Sequence, residues 1–241
     1  MRLAVISDIH GNLEAFKEVL SDIDKCRIDT VVCLGDNIGY GPEPDQVVSL
    51  IRERNIPCVL GNHELGVIDP EYLSWFNSNA RKSLKITAQL LSAENMHFIS
   101  GLEPALICYE CRFVHGFPPD SATTYLFEIS KEDLLNVFDQ AKEKLCFIGH
   151  THTLEIISFD GHTLKHSVLT KTTQTLHKDH QYIINIGSVG QPRDGNNNAK
   201  YVIWDRSEYS LEVKFIPYDI NRVVQKIQAA GLPAEHGTRL W

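Results

Sequence analysis

The chain has 241 residues, 43% of them hydrophobic and 22% charged, with a formal net charge of −8. This is the make-up of a globular chain with a real core. The negative balance, with no Lys/Arg block longer than a pair, excludes broad binding to a nucleic-acid backbone. No segment approaches the length of a membrane span, and the start "MRLAVISDIHGN" has neither the apolar h-region nor the cleavage site of a secretory signal, so a cytoplasmic protein is expected.

The first sixty residues alternate strand and helix. "RLAVIS" is β-branched and apolar, and "NLEAFKEVLSDI" repeats apolar residues at helical spacing through Leu13, Phe16, Val19, Leu20 and Ile23. "TVVCL" predicts the next strand, "DQVVSLIRER" the next helix and "PCVL" a third strand. Continuous apolar strands with helical crossovers predict a parallel arrangement covered on both faces. Residues 70 to about 100 read as helical, most clearly in "SLKITAQLLSAENMHFI". "ALICYECRFVHG" reads as two strands joined at Tyr109-Glu110, which makes the C-x-x-C of Cys108 and Cys111 a pair of strand neighbours rather than a zinc or redox motif. Then come the helix "EDLLNVFDQAKEK" and the strand "LCFI". From Leu154 to Pro217 short strands follow, "LEIISF", "TLKHSV", "YIINI", "YVIWD" and "LEVKFIP", and a last helix covers roughly Ile220 to Ala230. No repeat or linker divides the chain, so one domain over residues 1–241 is expected.

Each predicted strand of the first part ends on a chemically capable residue. Asp8-Ile9-His10 follows "LAVIS", Gly35-Asp36 follows "VVCL", and Gly61-Asn62-His63 follows "CVL". His115-Gly116 follows "RFV", and Gly149-His150-Thr151-His152 follows "LCFI". The carboxyl ends of strands in open α/β sheets face a common crevice, so these side chains can converge. In extended backbone, residues i and i+2 project to one side, which would pair Asp8 with His10 and His150 with His152. Carboxylate, amide and imidazole donors without cysteine suit Mn²⁺, Fe, Zn²⁺ or Co²⁺.

D-x-H, G-D, G-N-H-E, H-G and G-H-x-H in this order resemble the calcineurin-like metallophosphoesterase superfamily over residues 1 to about 152. "INIGSVGQPRDG" extends the likeness to bacterial members to about residue 205. The resemblance implies an α/β fold, a two-sheet β-sandwich flanked by helices on both faces in four layers. The strands of the first half would form one sheet and the short strands after Leu154 the other. It also implies two divalent ions, manganese first, with iron, zinc, cobalt or nickel as alternatives. One ion would take Asp8, His10, Asp36 and His152; the other would share Asp36 and add Asn62, His115 and His150. His63 matches the catalytic histidine of the family, stabilising the phosphoryl oxygens or protonating the leaving oxygen. The implied reaction is attack on phosphorus by a metal-bridging hydroxide.

Protein phosphatases of this superfamily carry Asp-Arg shortly after G-D, whereas this chain has "GDNIGYGPEP", so a small phosphate ester, in particular a phosphodiester or nucleotide, is the expected partner, with a phosphomonoesterase or protein phosphatase of the same fold as the alternative. "GYGP" and "GSVGQPRDG" resemble members described as phosphodiesterases or diadenosine-tetraphosphatase-like. Tyr40 could stack on a base and Arg193 could hold a phosphate, with Asn79 and Arg81 as further substrate candidates. A non-catalytic scaffold on the same fold would be expected to have lost His63 or some of the ligands, and none is missing.

Overall fold

The computed structural model describes residues 1–241. Strand β1 (Arg2–Ile6) leads to helix α1 (Leu13–Ile23), and β2 (Thr30–Cys33) to α2 (Pro44–Glu53). Four helices follow: α3 (Asn62–Ile68), α4 (Pro70–Leu73), α5 (Ser78–Leu90) and α6 (Ala93–Ser100). Strands β3 (Ala105–Cys108) and β4 (Cys111–Val114) precede α7 (Lys131–Gln140) and β5 (Leu145–Ile148). Next come β6 (Leu154–Phe159), β7 (Leu164–Val168), β8 (Thr173–Thr175) and β9 (Gln181–Ile186). The chain finishes with β10 (Ala199–Asp205), β11 (Ser210–Ile216), α8 (Ile220–Ala229) and α9 (Ala234–Thr238).

Two mixed sheets form the centre, ordered β2-β1-β10-β11-β8 and β3-β4-β5-β9-β6-β7. The expected two-sheet sandwich is present, but its division between the halves of the chain is not. β1 pairs in parallel with β2 and antiparallel with β10, Leu3 lying opposite Trp204. β5 lies between β4 and β9, parallel to both. The reason is that these strands are apolar on both faces. Leu3 and Val5 of β1 face the layer between the sheets, where they meet Phe113, Phe147, Ile184 and Trp204. Ala4 and Ile6 of the same strand face α1, packing with Phe16, Val19 and Leu20. On the far side, Cys146 and Ile148 of β5 pack with Phe138 of α7. These are four layers, helix on sheet on sheet on helix. Each large side chain buried in this way, such as Phe16, contributes about 1.5–3 kcal/mol.

Local sequence explains the element boundaries. Asn12 caps α1 by accepting the Ala15 N–H at 3.1 Å. The stretch read as one helix through residue 99 breaks at Leu91, because Ser92 caps a new helix, accepting the Asn95 N–H at 3.3 Å. "PCVL" is no ladder strand and makes only isolated bridges, Cys33 to Cys58 and Val59 to Glu103. The β3–β4 hairpin turns at Tyr109 (φ 55°) and Glu110 (φ 64°), both left-handed as a two-residue turn of the primed type requires. Cys108 and Cys111 are therefore direct cross-strand partners, and all six cysteines are free thiols.

Candidate metal centre

The strand ends named by the sequence meet at one end of the sandwich, held together by their own backbones. The N–H groups of Asp8, His10 and Gly11 donate to the carbonyls of Gly35, Asp36 and Asn37 at 2.8–3.0 Å. On the other side, Val189 and Gly190 donate to Ser7 and Asp8, and the Ser188 hydroxyl donates to the Asp8 carbonyl at 2.8 Å. Gly149 donates to the His115 carbonyl at 2.9 Å. Each loop is thus fixed by a neighbour distant in sequence.

Asp8, His10, Asp36, His150 and His152 all have left-handed backbone, with φ between 50° and 68°. This corrects the extended i, i+2 geometry expected for the two pairs: the strands have already ended, and the chain coils to aim the side chains inward. Non-glycine residues seldom occupy this region, and it recurs at functional sites. Gly149 allows close approach, since a Cβ there would lie 2.1 Å from Ser7 Oγ and 2.6 Å from Asp8 Oδ2.

Four imidazoles share one pattern. His10 Nδ1 contacts the Ile38 carbonyl at 3.0 Å, His115 Nδ1 that of Leu34 at 2.8 Å, His152 Nδ1 that of Gln191 at 2.5 Å, and His150 Nε2 that of Thr123 at 3.2 Å. A carbonyl only accepts, so each of these nitrogens carries the proton and the other is directed into the crevice. There, His10 Nε2 lies 3.0 Å from His152 Nε2 and 3.7 Å from Asp8 Oδ1. His152 Nε2 is 3.1 Å from that same oxygen. Asp36 Oδ2 is 3.3 Å from His115 Nε2 and 3.7 Å from His10 Nε2, so it faces both groups of histidines. Asn62 Oδ1 and His150 Nδ1 lie 3.0 and 3.2 Å from His115 Nε2. Asp8, His10 and His152 are close enough to hold one ion, as are Asp36, His115 and His150.

His63 differs. It also lies within reach of an ion shared with His10 and Asp36, its Nε2 3.9 Å from Asp36 Oδ2. Yet no carbonyl fixes its ring, and its buried Nδ1 has no hydrogen-bond partner. Gly39 makes room for it: a Cβ at that residue would sit 2.1 Å from His63 Nδ1.

The electrostatics demand positive charge. Burial alone would raise the Asp8 carboxyl, but the facing imidazoles of His152, His10 and His115 hold it well below the usual carboxylate range. Burial likewise works against Asp36, and His115, His63 and His10 bring it far below. Burial would lower His115, yet the Asp36 and Asp8 carboxylates push it up to about 10. Burial brings His150 down to about 3, with the His115 charge adding to it, and brings His152 down to about 4 against the opposing pull of the Asp8 carboxylate. Burial also brings His63 well below its ordinary value. Two buried carboxylates thus hold one imidazole cationic to balance them, and a bound cation would meet the same demand. Asp8 Oδ1, buried and without a hydrogen-bond partner, is the oxygen such an ion would satisfy.

Two residues inside the quoted motifs, given no role from sequence, support this shell. Glu64 accepts the N–H groups of Asp36 and Asn37 at 2.9 and 2.7 Å, and burial beside the Asp36 charge pushes it up to about 7. Asn185 donates to the Gly149 carbonyl and the Thr151 hydroxyl at 2.9 and 2.7 Å. The substrate candidates divide. The Tyr40 ring is crowded by the imidazoles of His10, His63 and His236, with centroids 4.6, 4.5 and 4.8 Å away. Arg193 is exposed, with its guanidinium carbon 5.9 Å from the Tyr40 centroid. Arg81 instead ties down its own neighbourhood, donating to the carbonyls of Ser74 and Phe76 at 2.8 Å each. Asn79 is exposed on the first turn of α5, and it is Asn77 and Ala80 that line the adjoining cleft.

The sequence pattern of the calcineurin-like phosphoesterase superfamily domain matches residues 1–208, and the chain belongs to that superfamily, whose members depend on a dinuclear metal centre. An uncharacterized protein of Methanocaldococcus jannaschii is 38% identical over 245 residues, covering 99% of this chain and 97% of that one. The crystal structure of a metallophosphoesterase from Sphaerobacter thermophilus has a TM-score of 0.86 at 32% identity, covering 100% of this chain and 98% of that one. A symmetrical bis(5'-nucleosyl)-tetraphosphatase of Wigglesworthia glossinidia brevipalpis is 42% identical over 67 residues, 27% of this chain and 25% of that protein. No helix is long and apolar enough to cross a membrane.

Proposed function

We propose that the protein is a dinuclear-metal phosphoesterase hydrolysing a small phosphodiester, with nucleotides and dinucleoside polyphosphates the foremost candidates, and that residues 1–241 act as one catalytic unit. The observation that carries this reading is the ring-nitrogen pattern. Four imidazoles each have one nitrogen on a backbone carbonyl and the other converging on two buried carboxylates. Structural histidines have no reason to share that arrangement, whereas metal ligands need it.

In this reading Asp8, His10, Asp36 and His152 hold one ion, while Asp36, Asn62, His115 and His150 hold the other. The oxygen and nitrogen donor set, without thiolate, accommodates manganese, the ion the family resemblance puts first, and equally iron, zinc, cobalt or nickel. When bound, the ions supply Lewis-acid activation of water and neutralise phosphoryl charge. The chain does the rest. Asp36 sets the separation of the two groups of donors, and the carbonyls of Ile38, Leu34, Gln191 and Thr123 keep the imidazoles oriented. His63, free of a carbonyl anchor, donates an N–H to a phosphoryl oxygen. Arg193, exposed beside Tyr40, meets the phosphate as it enters.

Hydrolysis of bis-p-nitrophenyl phosphate by the manganese-loaded protein, abolished by a chelator, is the first test. A panel of dinucleoside polyphosphates, cyclic nucleotides and phosphomonoesters then ranks the substrates. Absence of turnover on every compound with metal bound would favour a non-catalytic scaffold.

A further inference from the structure

Beside the metal centre lies a cleft that the phosphoryl chemistry leaves unused. It has a volume of about 340 Å³, and its walls include Tyr40, Tyr72, Trp75, Phe76, Thr123 and Tyr125. That size falls within the usual range for ligand pockets, about 300–1,000 Å³. The cleft is continuous with the centre, because Asn62 and His150 line it as well.

Its walls are aromatic and uncharged. Trp75 is 66% exposed, and its ring lies 4.7 Å from that of Tyr72. Tyr125 stacks on His150 with centroids 3.8 Å apart and planes 19° from parallel. Phe76 meets the His63 ring edge-on at 5.0 Å. No Lys, Arg, Asp or Glu lines the cleft. Polar groups sit at its border: Asn77 uses its Oδ1 to cap α5 through the Ala80 N–H at 3.0 Å, leaving its amide N–H groups free, and Thr123 offers a hydroxyl. A phosphate gains nothing from such walls. A flat heteroaromatic ring gains stacking on its faces and hydrogen bonds at its edge.

We infer that this cleft holds the nucleobase of a nucleotide ester whose phosphodiester lies at the metal centre, with Trp75 as the principal stacking face. The inference rests on the proposed phosphoesterase activity only for the position of the phosphate.

Two measurements on the manganese-loaded protein test it. In the first, tryptophan fluorescence is followed during titration with adenosine 5'-monophosphate and, separately, ribose 5-phosphate. The nucleotide should quench saturably and the sugar phosphate should not, and Trp75→Leu should remove the quenching. In the second, kcat/KM is compared for the p-nitrophenyl esters of adenosine 5'-phosphate and ribose 5-phosphate. Trp75→Leu should lower the ratio between them by about 5- to 150-fold, the range expected for losing one base–aromatic stack, and Trp75→Phe should restore most of it. Equal affinity for the two ligands in the wild type, or an unchanged ratio in Trp75→Leu, would overturn the inference while leaving the hydrolase intact. Base-dependent quenching without hydrolysis of either ester would support the cleft and remove the phosphoesterase reading instead.

Discussion

His10 and His152 face each other nitrogen to nitrogen, Nε2 to Nε2 at 3.0 Å, with the Nδ1 of each against a backbone carbonyl. A carbonyl cannot donate, so the Nδ1–H of each ring is spent there and the two Nε2 atoms are left facing each other in the crevice, with Asp8 Oδ1 3.1 Å from that of His152. Three electron-rich atoms in a buried space repel unless a cation joins them. Metal should therefore stabilise the fold. At free metal about 100 times its dissociation constant, each site adds about 2.7 kcal/mol. For a chain of this size, one site filled to that level should raise Tm by about 5–10 °C over the chelated protein. Differential scanning fluorimetry with manganese and with a chelator measures this, and coincident melting curves would refute a cation site here.

Asp36 should matter more than any other ligand. Its Oδ2 faces His115 Nε2 at 3.3 Å and His10 Nε2 at 3.7 Å, and its Oδ1 accepts the His63 backbone N–H at 2.8 Å. Asp36→Asn removes the charge between the two groups of donors while leaving an amide oxygen that can take the same hydrogen bond. Metal affinity should fall by at least about 100-fold, with activity falling alongside. Metal analysis by mass spectrometry reads the outcome; full occupancy in the variant would count against the shared role.

His63 is expected to act on the phosphoryl group rather than on the leaving group. The nearest Asp36 oxygen is 3.9 Å from its Nε2, so no carboxylate orients the ring for proton transfer in the way a general acid–base histidine is usually held. His63→Ala should retain metal and lower kcat by about 10²–10³-fold, as losing one preorganised donor does. The loss should be alike for p-nitrophenyl and alkyl esters. A loss confined to alkyl esters would assign the leaving-group proton to His63.

The five strand-end motifs were legible because the identities of the donors, and the glycines beside most of them, are carried by single residues in short stretches. Their geometry was not. The left-handed φ of Asp8, His10, Asp36, His150 and His152 depends on loops that hold each other across more than 100 residues, as in the Gly190 N–H to the Asp8 carbonyl. The sheet order was hidden for a related reason. Strands such as β1 and β5 are apolar on both faces, so periodicity cannot say which sheet they join. The break at Ser92 left a readable signal, a capping serine within an apolar pattern. The cleft lined by Trp75 and Tyr125 left none, since its residues come from separate short segments with no common period.

Away from the site, Asp22 of α1 ties that helix to the sheet beneath it. It accepts the Tyr201 hydroxyl at 2.7 Å and pairs with Lys214 at 3.2 Å. Burial would raise its carboxyl, but these two partners bring it below its ordinary value of 3.8. A carboxylate lowered in the folded state stabilises above its unfolded pKa, and that stabilisation is lost as pH falls through the folded value. Asp22→Asn should therefore cost about 1 kcal/mol near neutral pH. The difference should shrink once pH falls below about 4. Urea denaturation of both proteins across the acid range measures it, and a constant difference would show that charge is not the cause.

The most direct measurement is a titration of the metal-free protein with Mn²⁺, in which bound metal and bis-p-nitrophenyl phosphate hydrolysis are read from the same samples. Two shared-carboxylate sites predict saturation at two ions per chain, with turnover rising as the second ion binds. Full activity at one bound ion, or none with two bound, would contradict a dinuclear phosphoesterase.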